Sequence, residues 1–296
     1  MHVLLTGAAG FIGSHLAEAL IQRGDYINGV DDLSGGSVEN VNEASLLSGA
    51  PERFHFRPTD CAQADLNISN NPNAYCCSAK NTSSHDMPDM LIHCAANARE
   101  GASQFQPLSV TYRNLYTYVN VLTKCLQAGV KKVILFSTMA VYGENQTPFC
   151  ETYPRQPVDV YGVNKAAMEH ITEILAEVHG FDYMIIRPHN VFGERQALYD
   201  KFRNVVGIFM NRIMRNEPLF IYGDGKQTRA FSYIGDSIQS FVHAVDMLAC
   251  GDVPKDDRIV NVGGMHEITI NELADVVCSS MGVCPKTYPR EYLKDL

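Results

Sequence analysis

The segment HVLLTGAAGFIGSHLAEAL, close to the amino terminus, constrains the fold most because it places three glycines between an apolar run and an amphipathic stretch. The apolar run is typical of a buried strand, and the stretch that follows has the spacing of a helix. Gly7, Gly10 and Gly13 lie at the junction, where a tight turn directs backbone N–H groups and the helix N-terminus toward a pyrophosphate. Three glycines alone are a weak signal, but with both flanking elements and the following strand YINGV they predict a dinucleotide-binding turn.

Short runs rich in Val, Ile and Leu continue to alternate with longer amphipathic stretches, at MLIHC, KVILF and YMIIR. Apolar runs without strict alternation fit strands that are buried on both faces, as in a parallel sheet covered by helices. The chain is therefore predicted to be α/β, a Rossmann-type doubly wound parallel sheet with a smaller interleaved substrate-binding lobe. The dinucleotide-binding domain is predicted to comprise residues 1–187 and 232–262, and the lobe residues 188–231 and 263–296.

Two further stretches carry local predictions. The segment from Asp60 to Met87 has clusters of Asn, Ser and Ala and separates two strands by more than a compact loop needs, which predicts a surface excursion. Beyond the last regular strand, the pattern near Lys201–Arg215 predicts a helix of the smaller lobe.

Composition excludes several classes of protein. No window approaches the roughly 20 apolar residues of a membrane-spanning helix, and the first residues are those of a strand, so a cytoplasmic protein is expected. The formal net charge of −9 argues against a nucleic-acid partner, since phosphate backbones are held by clusters of Lys and Arg. The nine cysteines show neither a disulfide framework nor metal-site spacing, so no metal is predicted.

Two adjacent acids end the second predicted strand, about 20 residues beyond the glycines, where a carboxylate binds both hydroxyls of an adenosine ribose. Asp31 is the predicted ribose ligand, and Asp32 either adds a second negative charge or is a solvated loop acid. Because two carboxylates repel a ribose 2′-phosphate, the pair favours NAD over NADP as the cofactor.

A tyrosine and a lysine four residues apart begin a long helical stretch at YGVNK, so that both project from one face. A nearby ammonium favours the phenolate of Tyr161, which suits the side chain for proton abstraction. The pair by itself is common, and its position gives it weight. The buried strand KVILF is followed by Ser137 and Thr138, and ligands of such sheets lie beyond the carboxyl ends of the strands.

Eight segments occur in the order typical of the extended short-chain dehydrogenase/reductases, which the chain resembles from its first residues to near its last. They are GAAGFIG, DDLSGG, HCAA, STMAVYG, YGVNK, RPHNVFG, GDGKQTRAFSYIGD and NVGG. The resemblance implies an NAD-dependent enzyme of the epimerase/dehydratase family that acts on a nucleotide-linked sugar, with the UDP-glucose (UDP-galactose) 4-epimerase group the most similar.

The resemblance also implies the residues that contact the cofactor. The glycine turn would line the pyrophosphate, Asp31 would bind the adenosine ribose, Asp60 and Cys61 would border the adenine, and residues 94–96 would pass under the cofactor. The expected cofactor contacts are Gly7, Gly10, Phe11, Ile12, Gly13, Asp31, Asp32, Gly35, Asp60, Cys61, Cys94, Ala95, Ala96, Asn114, Tyr161, Lys165 and His189.

The catalytic residues follow from the same resemblance. Thr138 would occupy the Ser/Thr position of the catalytic triad, Tyr161 would be the base, and Lys165 would bind the nicotinamide ribose. Ser137 is one place too early and is expected to be structural. Arg229 would supply a bidentate clamp for the nucleotide diphosphate. The expected substrate contacts are Ala98, Thr138, Met139, Asn190, Arg195 and Arg229.

The residues after Thr138 bear on the reaction. Sugar 4,6-dehydratases resemble this chain at the same loop but carry Asp–Glu there, and decarboxylases of nucleotide-linked glucuronate carry a carboxylate next to the Ser/Thr. Met139 and Ala140 transfer no proton. The simplest outcome is that a 4-keto sugar turns over and accepts hydride on its other face, which is 4-epimerisation. A dehydratase, dehydrogenase or reductase of the same family remains an alternative, and a non-catalytic NAD-binding protein is a further one.

Arg195 either pairs with the carboxylate of a glucuronate or is a solvated loop arginine. A homodimer through the helices near Asn114–Ala128 and Tyr161–Val178 is implied by the resemblance. Relatives continue beyond the position of Leu296, so the smaller lobe is expected to be either short or truncated.

Overall fold

The computed structural model describes residues 1–63, 87–200, 204–251 and 253–294. Most of the expected surface excursion, residues 64–86, lies outside the described residues. The chain forms two compact units, of which the first comprises Met1–Pro188 and Ile238–Val262 and the second comprises His189–Ser237 and Gly263–Leu296.

The strands of the described residues are β1 (His2–Thr6), β2 (Tyr26–Asp31), β3 (Phe54–Pro58), β4 (Met90–His93), β5 (Lys132–Phe136), β6 (Asp182–Pro188), β7 (Val191–Phe192), β8 (Leu219–Tyr222), β9 (Thr228–Ala230), β10 (Ser232–Tyr233), β11 (Ile259–Val262), β12 (Glu267–Thr269) and β13 (Arg290–Leu293). The helices are α1 (Phe11–Gln22), α2 (Val38–Leu47), α3 (Glu100–Ser103), α4 (Pro107–Thr111), α5 (Thr117–Gln127), α6 (Val160–His179), α7 (Val205–Met214), α8 (Ile234–Cys250) and α9 (Ile270–Ser280). A π-helical turn, Tyr112–Tyr116, joins α4 to α5.

The first unit is built on a seven-stranded sheet in the order β11–β6–β5–β4–β1–β2–β3, and each strand is parallel to its neighbours. The strands are buried on both faces: all four residues of β4 and the last four of β1 and β5 are buried. Strand order reverses between β1 and β4, and ligands of doubly wound sheets bind at the carboxyl ends of the strands beside such a reversal. The predicted fold class is confirmed.

The longest helix of the first unit, α6, has clear signals at both ends. Asp159 caps its N-terminus by accepting a hydrogen bond from the backbone N–H of Gly162, at 2.8 Å. Gly180 ends it in the left-handed region, with φ +65°. Both caps fix where the helix begins and ends, and so they fix the position of the tyrosine and lysine on its first two turns.

The second unit contains three strand pairs, β7 with β10, β8 with β13 and β9 with β12. Its core is formed between α7, α9 and β8, where Phe209, Leu219, Ile221, Ala274 and Cys278 are buried. The helix expected near residues 201–215 begins at Val205, after Asn204 accepts a hydrogen bond from the N–H of Val206 at 3.0 Å. Residues 201–203 lie outside the described residues. No helix of the described ranges is long and apolar enough to cross a membrane.

Candidate active site

The glycine turn after β1 is closely packed. Gly7 has φ +72°, and a β carbon there would come within 2.6 Å of the Ala95 nitrogen and 2.7 Å of the Cys94 carbonyl carbon. A β carbon on Gly13 would lie 2.0 Å from the Gly7 oxygen. Both positions therefore require glycine, because the neighbouring atoms belong to the backbone. Close packing alone therefore explains why two of the three positions of the motif, Gly7 and Gly13, are glycine.

The N-terminus of α1 fits an anionic group. Gly10 caps the helix without a side chain, and the first turn contains no acidic residue. The N–H groups of the first turn, which includes Phe11 and Ile12, have no partner within the helix and carry the positive end of the helix dipole. Such a helix N-terminus can hold an anion such as a pyrophosphate.

Asp31 ends β2 and supports the turn from beside it. One carboxylate oxygen accepts a hydrogen bond from the N–H of Ala9 at 3.1 Å, and the other accepts one from the N–H of Leu33 at 2.8 Å. Burial raises the pKa of Asp31 above its ordinary value, although the two N–H groups act to lower it. A carboxylate accepts further hydrogen bonds on its remaining lone pairs, so it can still bind two ribose hydroxyls.

Asp32 is paired, which the sequence reasoning did not anticipate. Its carboxylate accepts hydrogen bonds from the N–H of Ser34 at 2.9 Å and from Arg113 at 2.7 Å. Partial burial raises the pKa of Asp32, but the hydrogen bonds from Ser34 and Arg113 outweigh it and hold the pKa below its usual value. Gly35 is exposed in the same loop. The charge of Asp32 is therefore offset by a cation from the π-helical turn.

Residues on the expected adenine side follow β3. Asp60 accepts a hydrogen bond from the N–H of Ala62 at 2.8 Å, and Asn120 donates to the Ala62 carbonyl at 2.6 Å. The Cys61 thiol is buried, and burial, followed by the charges of the nearby Asp31, Asp60 and Asp32, raises its pKa to about 12. Cys61 is consequently neutral at pH 7, and Asn120 is a supporting residue that the sequence did not indicate.

The loop after β4 is held by a buried asparagine. Asn114 accepts a hydrogen bond from the Asn97 N–H at 2.7 Å and donates to the Asn97 carbonyl at 3.3 Å. Between the strand and this clamp lie Cys94, Ala95 and Ala96, and Ala98 follows it; all four are partly exposed. All four side chains are short.

Lys165 is buried inside the first unit and points at the end of β5. Its Nζ donates to the carbonyl oxygen of Phe136 at 2.7 Å. Burial lowers the pKa of Lys165 to about 8, although the neighbouring Cys94 and Glu169 act to raise it. Phe136 is the last residue of β5, so the lysine is anchored two residues before Thr138.

Thr138 and Tyr161 lie on segments that pack together. The Thr138 hydroxyl accepts a hydrogen bond from the N–H of Ala140 at 3.2 Å and begins a short 3₁₀ turn. A β carbon on Gly162 would lie 2.8 Å from the Ala140 carbonyl oxygen, so the first turn of α6 contacts that 3₁₀ turn directly. Tyr161 is the residue before Gly162, while Met139 and Ala140 are partly exposed. The fold thus brings the three residues of the expected triad to one region.

A buried ion-pair network supports this region and was not indicated by the sequence. Glu169 accepts hydrogen bonds from Arg187 at 2.6 and 2.9 Å, from Arg155 at 2.6 Å and from the Ser137 hydroxyl at 2.5 Å. Arg187 also donates to the Tyr142 hydroxyl at 2.5 Å. Ser137 is thus bound to Glu169, which agrees with a structural role for it. The only signal in the sequence is the arrangement of Glu169 one turn beyond Lys165 on the same helix.

A buried histidine lies beside the lysine. His93 Nδ1 is 2.9 Å from the Thr6 hydroxyl, and its ring packs 4.9 Å from that of Tyr118. Burial, followed by the nearby charge of Lys165, lowers the pKa of His93 to about 3. The ring is therefore neutral and ties the ends of β1 and β4 together.

The second unit carries the remaining predicted residues. Asn190 has φ +42°, and its amide donates to the Ala230 carbonyl at 3.0 Å. Arg229 is exposed on β9, where it donates to the Thr228 carbonyl at 2.8 Å. Asn190 thus contacts the residue that follows Arg229 on β9.

His189 and Arg195 complete the predicted set. His189 is partly buried, and burial, followed by the charge of Arg229, lowers its pKa. The Ser232 hydroxyl donates to the His189 carbonyl at 3.0 Å and accepts from the Gly264 N–H at 2.7 Å. Arg195 has φ +63° and is partly buried. Ser232 therefore links His189 to Gly264, and the sequence did not indicate this role.

Comparison with known proteins identifies the family. Residues 3–263 match the sequence model of the NAD dependent epimerase/dehydratase family. A putative UDP-glucose 4-epimerase of Methanocaldococcus jannaschii is 29% identical over 95% of this chain and 82% of its own length. The UDP-glucose 4-epimerase of Mycolicibacterium smegmatis is 30% identical over 95% of this chain and 83% of its own. UDP-glucuronic acid decarboxylase 4 of Arabidopsis thaliana is also 30% identical, over 94% of this chain and 56% of its own.

Solved structures show the same likeness. UDP-glucose 4-epimerase of Thermotoga maritima, in complex with UDP-glucose, has a TM-score of 0.81 and 30% identity, covering 100% of this chain and 86% of that one. UDP-glucuronic acid 4-epimerase of Bacillus cereus, in complex with UDP-glucuronic acid and NAD, has a TM-score of 0.80 and 27% identity, covering 100% and 87%. The chain belongs to the NAD-dependent epimerase/dehydratase family of extended short-chain dehydrogenase/reductases, whose cofactor is NAD.

Proposed function

We propose that the protein is an NAD-dependent nucleotide-sugar 4-epimerase that acts on a UDP-hexose or a UDP-hexuronate. The observation that supports this most is the contact of Lys165 with the carbonyl of Phe136. Phe136 lies two residues before Thr138, and Lys165 lies one helical turn after Tyr161 on α6. This contact holds the lysine at the carboxyl end of β5, where ligands of such sheets bind, and it supports a triad of Lys165, Tyr161 and Thr138 there.

Each member of the triad has a distinct task. Tyr161 accepts the proton of the sugar 4-hydroxyl as general base and returns it after the 4-keto sugar has turned over. Thr138 orients that hydroxyl, and the Lys165 ammonium stabilises the phenolate of Tyr161 by its charge. NAD, when bound, supplies the hydride acceptor and donor for the sugar carbon. The catalyst thus ends each turnover in the state in which it began.

The residues after Thr138 favour epimerisation over the other reactions of the family. Elimination of water or loss of a carboxyl group from the 4-keto sugar needs an additional acid or base near the same carbon atoms. Met139 and Ala140 follow Thr138 and offer no ionisable group. A dehydratase or decarboxylase would therefore need a proton carrier from another segment.

We assign the cofactor and nucleotide contacts as follows. Asp31 binds the adenosine ribose, the first turn of α1 binds the pyrophosphate, and Lys165 binds the nicotinamide ribose. The first compact unit is thus the NAD-binding domain, and the second is the substrate-binding lobe, in which Asn190 and Arg229 contact the diphosphate of the UDP-sugar. Guanidinium pairs with phosphate in a bidentate manner, which suits Arg229 to this task.

The test is direct. The protein is incubated with UDP-galactose, UDP-N-acetylgalactosamine and UDP-glucuronate without added reductant, and the carbon-4 epimer of each is measured by NMR. Catalytic formation of an epimer is expected for at least one of the three. Accumulation of NADH in an amount equal to the product, without an epimer, would show a net dehydrogenase instead.

The identity of the sugar is tested at Arg195. If its guanidinium pairs with a glucuronate carboxylate, Arg195→Ala will reduce turnover of UDP-glucuronate by about tenfold or more and leave that of UDP-galactose much less changed. Equal losses for both sugars would assign Arg195 to the loop alone.

The protein is further proposed to form a homodimer through the helices of residues 114–128 and 161–178. Large apolar side chains are exposed on them, among them Tyr116, Val163, Ile174 and Val178. Sedimentation equilibrium distinguishes a dimer from a monomer of 32.8 kDa.

A further inference from the structure

Arg113 connects two parts of the chain at the expected adenosine ribose. It lies in the π-helical turn between α4 and α5, and its Nη1 lies 2.7 Å from an oxygen of Asp32 and 2.8 Å from the Ser34 hydroxyl. Asp32 and Ser34 belong to the loop directly after Asp31. The guanidinium therefore contacts the residue directly after the acid that ends the second strand.

The π-helical turn explains how neighbouring residues reach two loops. The Thr117 hydroxyl donates to the Tyr112 carbonyl at 3.0 Å, and the wider turn includes both Arg113 and Asn114. Asn114 clamps the loop after β4, while Arg113 extends to the loop after β2. Such turns are frequent at functional sites because they change the direction of side chains within a helix.

Negative charge predominates around the expected adenosine ribose. Asp31, Asp32 and Asp60 all act on the buried Cys61 thiol and disfavour its ionisation. Arg113 pairs with one of the three carboxylates, and its side chain is 42% exposed. An arginine next to the acid of the second strand is the group that accommodates the 2′-phosphate of NADP in Rossmann domains. Here that group is occupied by Asp32.

We propose that Asp32 masks Arg113, and that this pair, together with Asp31, sets the preference of the site for NAD over NADP. A 2′-phosphate that approaches the guanidinium meets the negative charge of Asp32 and competes with it for the N–H groups of Arg113. When the Asp32 carboxylate is removed, Arg113 becomes available for charge-assisted hydrogen bonds to the phosphate. The inference rests on the proposed position of the adenosine ribose at Asp31, and it does not depend on which sugar is the substrate.

The test measures binding and does not use activity. Dissociation constants of NAD and NADP are measured by isothermal titration calorimetry for the wild type, Asp32→Asn, Arg113→Gln and the double variant. Asn is the matched replacement because its oxygen can still accept the N–H of Ser34. Asp32→Asn is expected to bind NADP about tenfold or more tightly than the wild type does, and the double variant is expected to lose that gain.

The outcomes are distinguishable. If Asp32→Asn and the double variant bind NADP with equal affinity, the inference is overturned, because the gain in NADP affinity would not come from the guanidinium of Arg113. Failure of the wild type to bind NAD at all would instead reject the position of the cofactor site. If Asp32→Asn does not fold, Asp32→Ser with and without Arg113→Gln gives the same comparison.

Discussion

Lys165 donates a hydrogen bond of 2.7 Å from its Nζ to the carbonyl oxygen of Phe136, and this contact fixes the lysine at the carboxyl end of the strand that leads to Thr138. The ammonium is held in a buried position, with 2% of the residue exposed. Because a buried charge costs free energy unless it is compensated, such a lysine has consequences for both chemistry and stability.

The buried ammonium makes stability depend on pH. The folded pKa of Lys165 is about 8, against 10.5 as its ordinary value, and burial is the main cause. Between these two values the unfolded chain holds a proton that the folded chain has released, so the contribution of Lys165 to the free energy of unfolding rises with pH. Below about pH 8 the full cost of burying the charge is present.

Lys165→Met removes this cost. The free energy of unfolding of the variant minus that of the wild type is therefore expected to be highest at pH 7. It is expected to fall by about 3 kcal/mol as pH rises from about 8 to about 10.5. Urea unfolding of the two proteins at several pH values measures the difference. Lys131→Met, at an exposed lysine, is the control. A constant difference across the window would contradict the expected dependence.

Because Tyr161 is the proposed general base, Tyr161→Phe is expected to lower the proposed epimerase turnover by a factor of about 10² to 10⁴. The carbon-4 epimer is measured by NMR, and NAD binding by calorimetry is expected to persist, since the ring and the fold of α6 remain. Tyr26→Phe is the matched control, because Tyr26 lies at the amino end of β2, away from the carboxyl ends of the strands. Similar losses in both variants would exclude a special role for Tyr161.

Glu169→Gln is expected to destabilise the first unit by about 3–5 kcal/mol, because it leaves the buried Arg187 guanidinium without its counter-charge. Arg187 is 1% exposed and Glu169 is fully buried. Glu173→Gln provides the comparison: its carboxylate pairs with Arg155 but its side chain is 28% exposed, so a loss of about 1 kcal/mol or less is expected. Denaturant midpoints measure both, and equal losses would contradict the importance of the buried network.

Gly7→Ala is expected to weaken both folding and NAD binding. The left-handed φ costs an alanine about 1–2 kcal/mol, and the overlap of its β carbon with the backbone of Cys94 and Ala95 adds to this. Gly129→Ala separates the two effects, because Gly129 has φ +90° with no atom within 4 Å of a β carbon. Thermal unfolding and NAD titration compare the variants. If Gly129→Ala is as destabilising as Gly7→Ala, close packing of the turn is not the reason for glycine at position 7.

Much of the fold follows from local patterns in the sequence. Apolar runs without alternation predicted parallel strands buried on both faces, and the seven-stranded sheet confirms them. The three glycines predicted a tight turn between β1 and α1, and Tyr161 and Lys165 lie on one helix as their spacing predicted. These features depend on residues a few positions apart, and the conformational preferences of the backbone are sufficient to specify them.

The pairing of charges was decided by the tertiary structure. Arg113 and Asp32 are 81 residues apart, and no local pattern predicted their ion pair, which offsets the charge of Asp32. Ser137 and Glu169 are 32 apart, and their contact depends on how α6 packs against the end of β5. Sequence by itself determined the turn, the helix and the residues that can do chemistry. The tertiary structure decided which of those residues meet, because contacts between distant segments follow from the order of strands and the packing of helices and leave no periodic pattern in the chain.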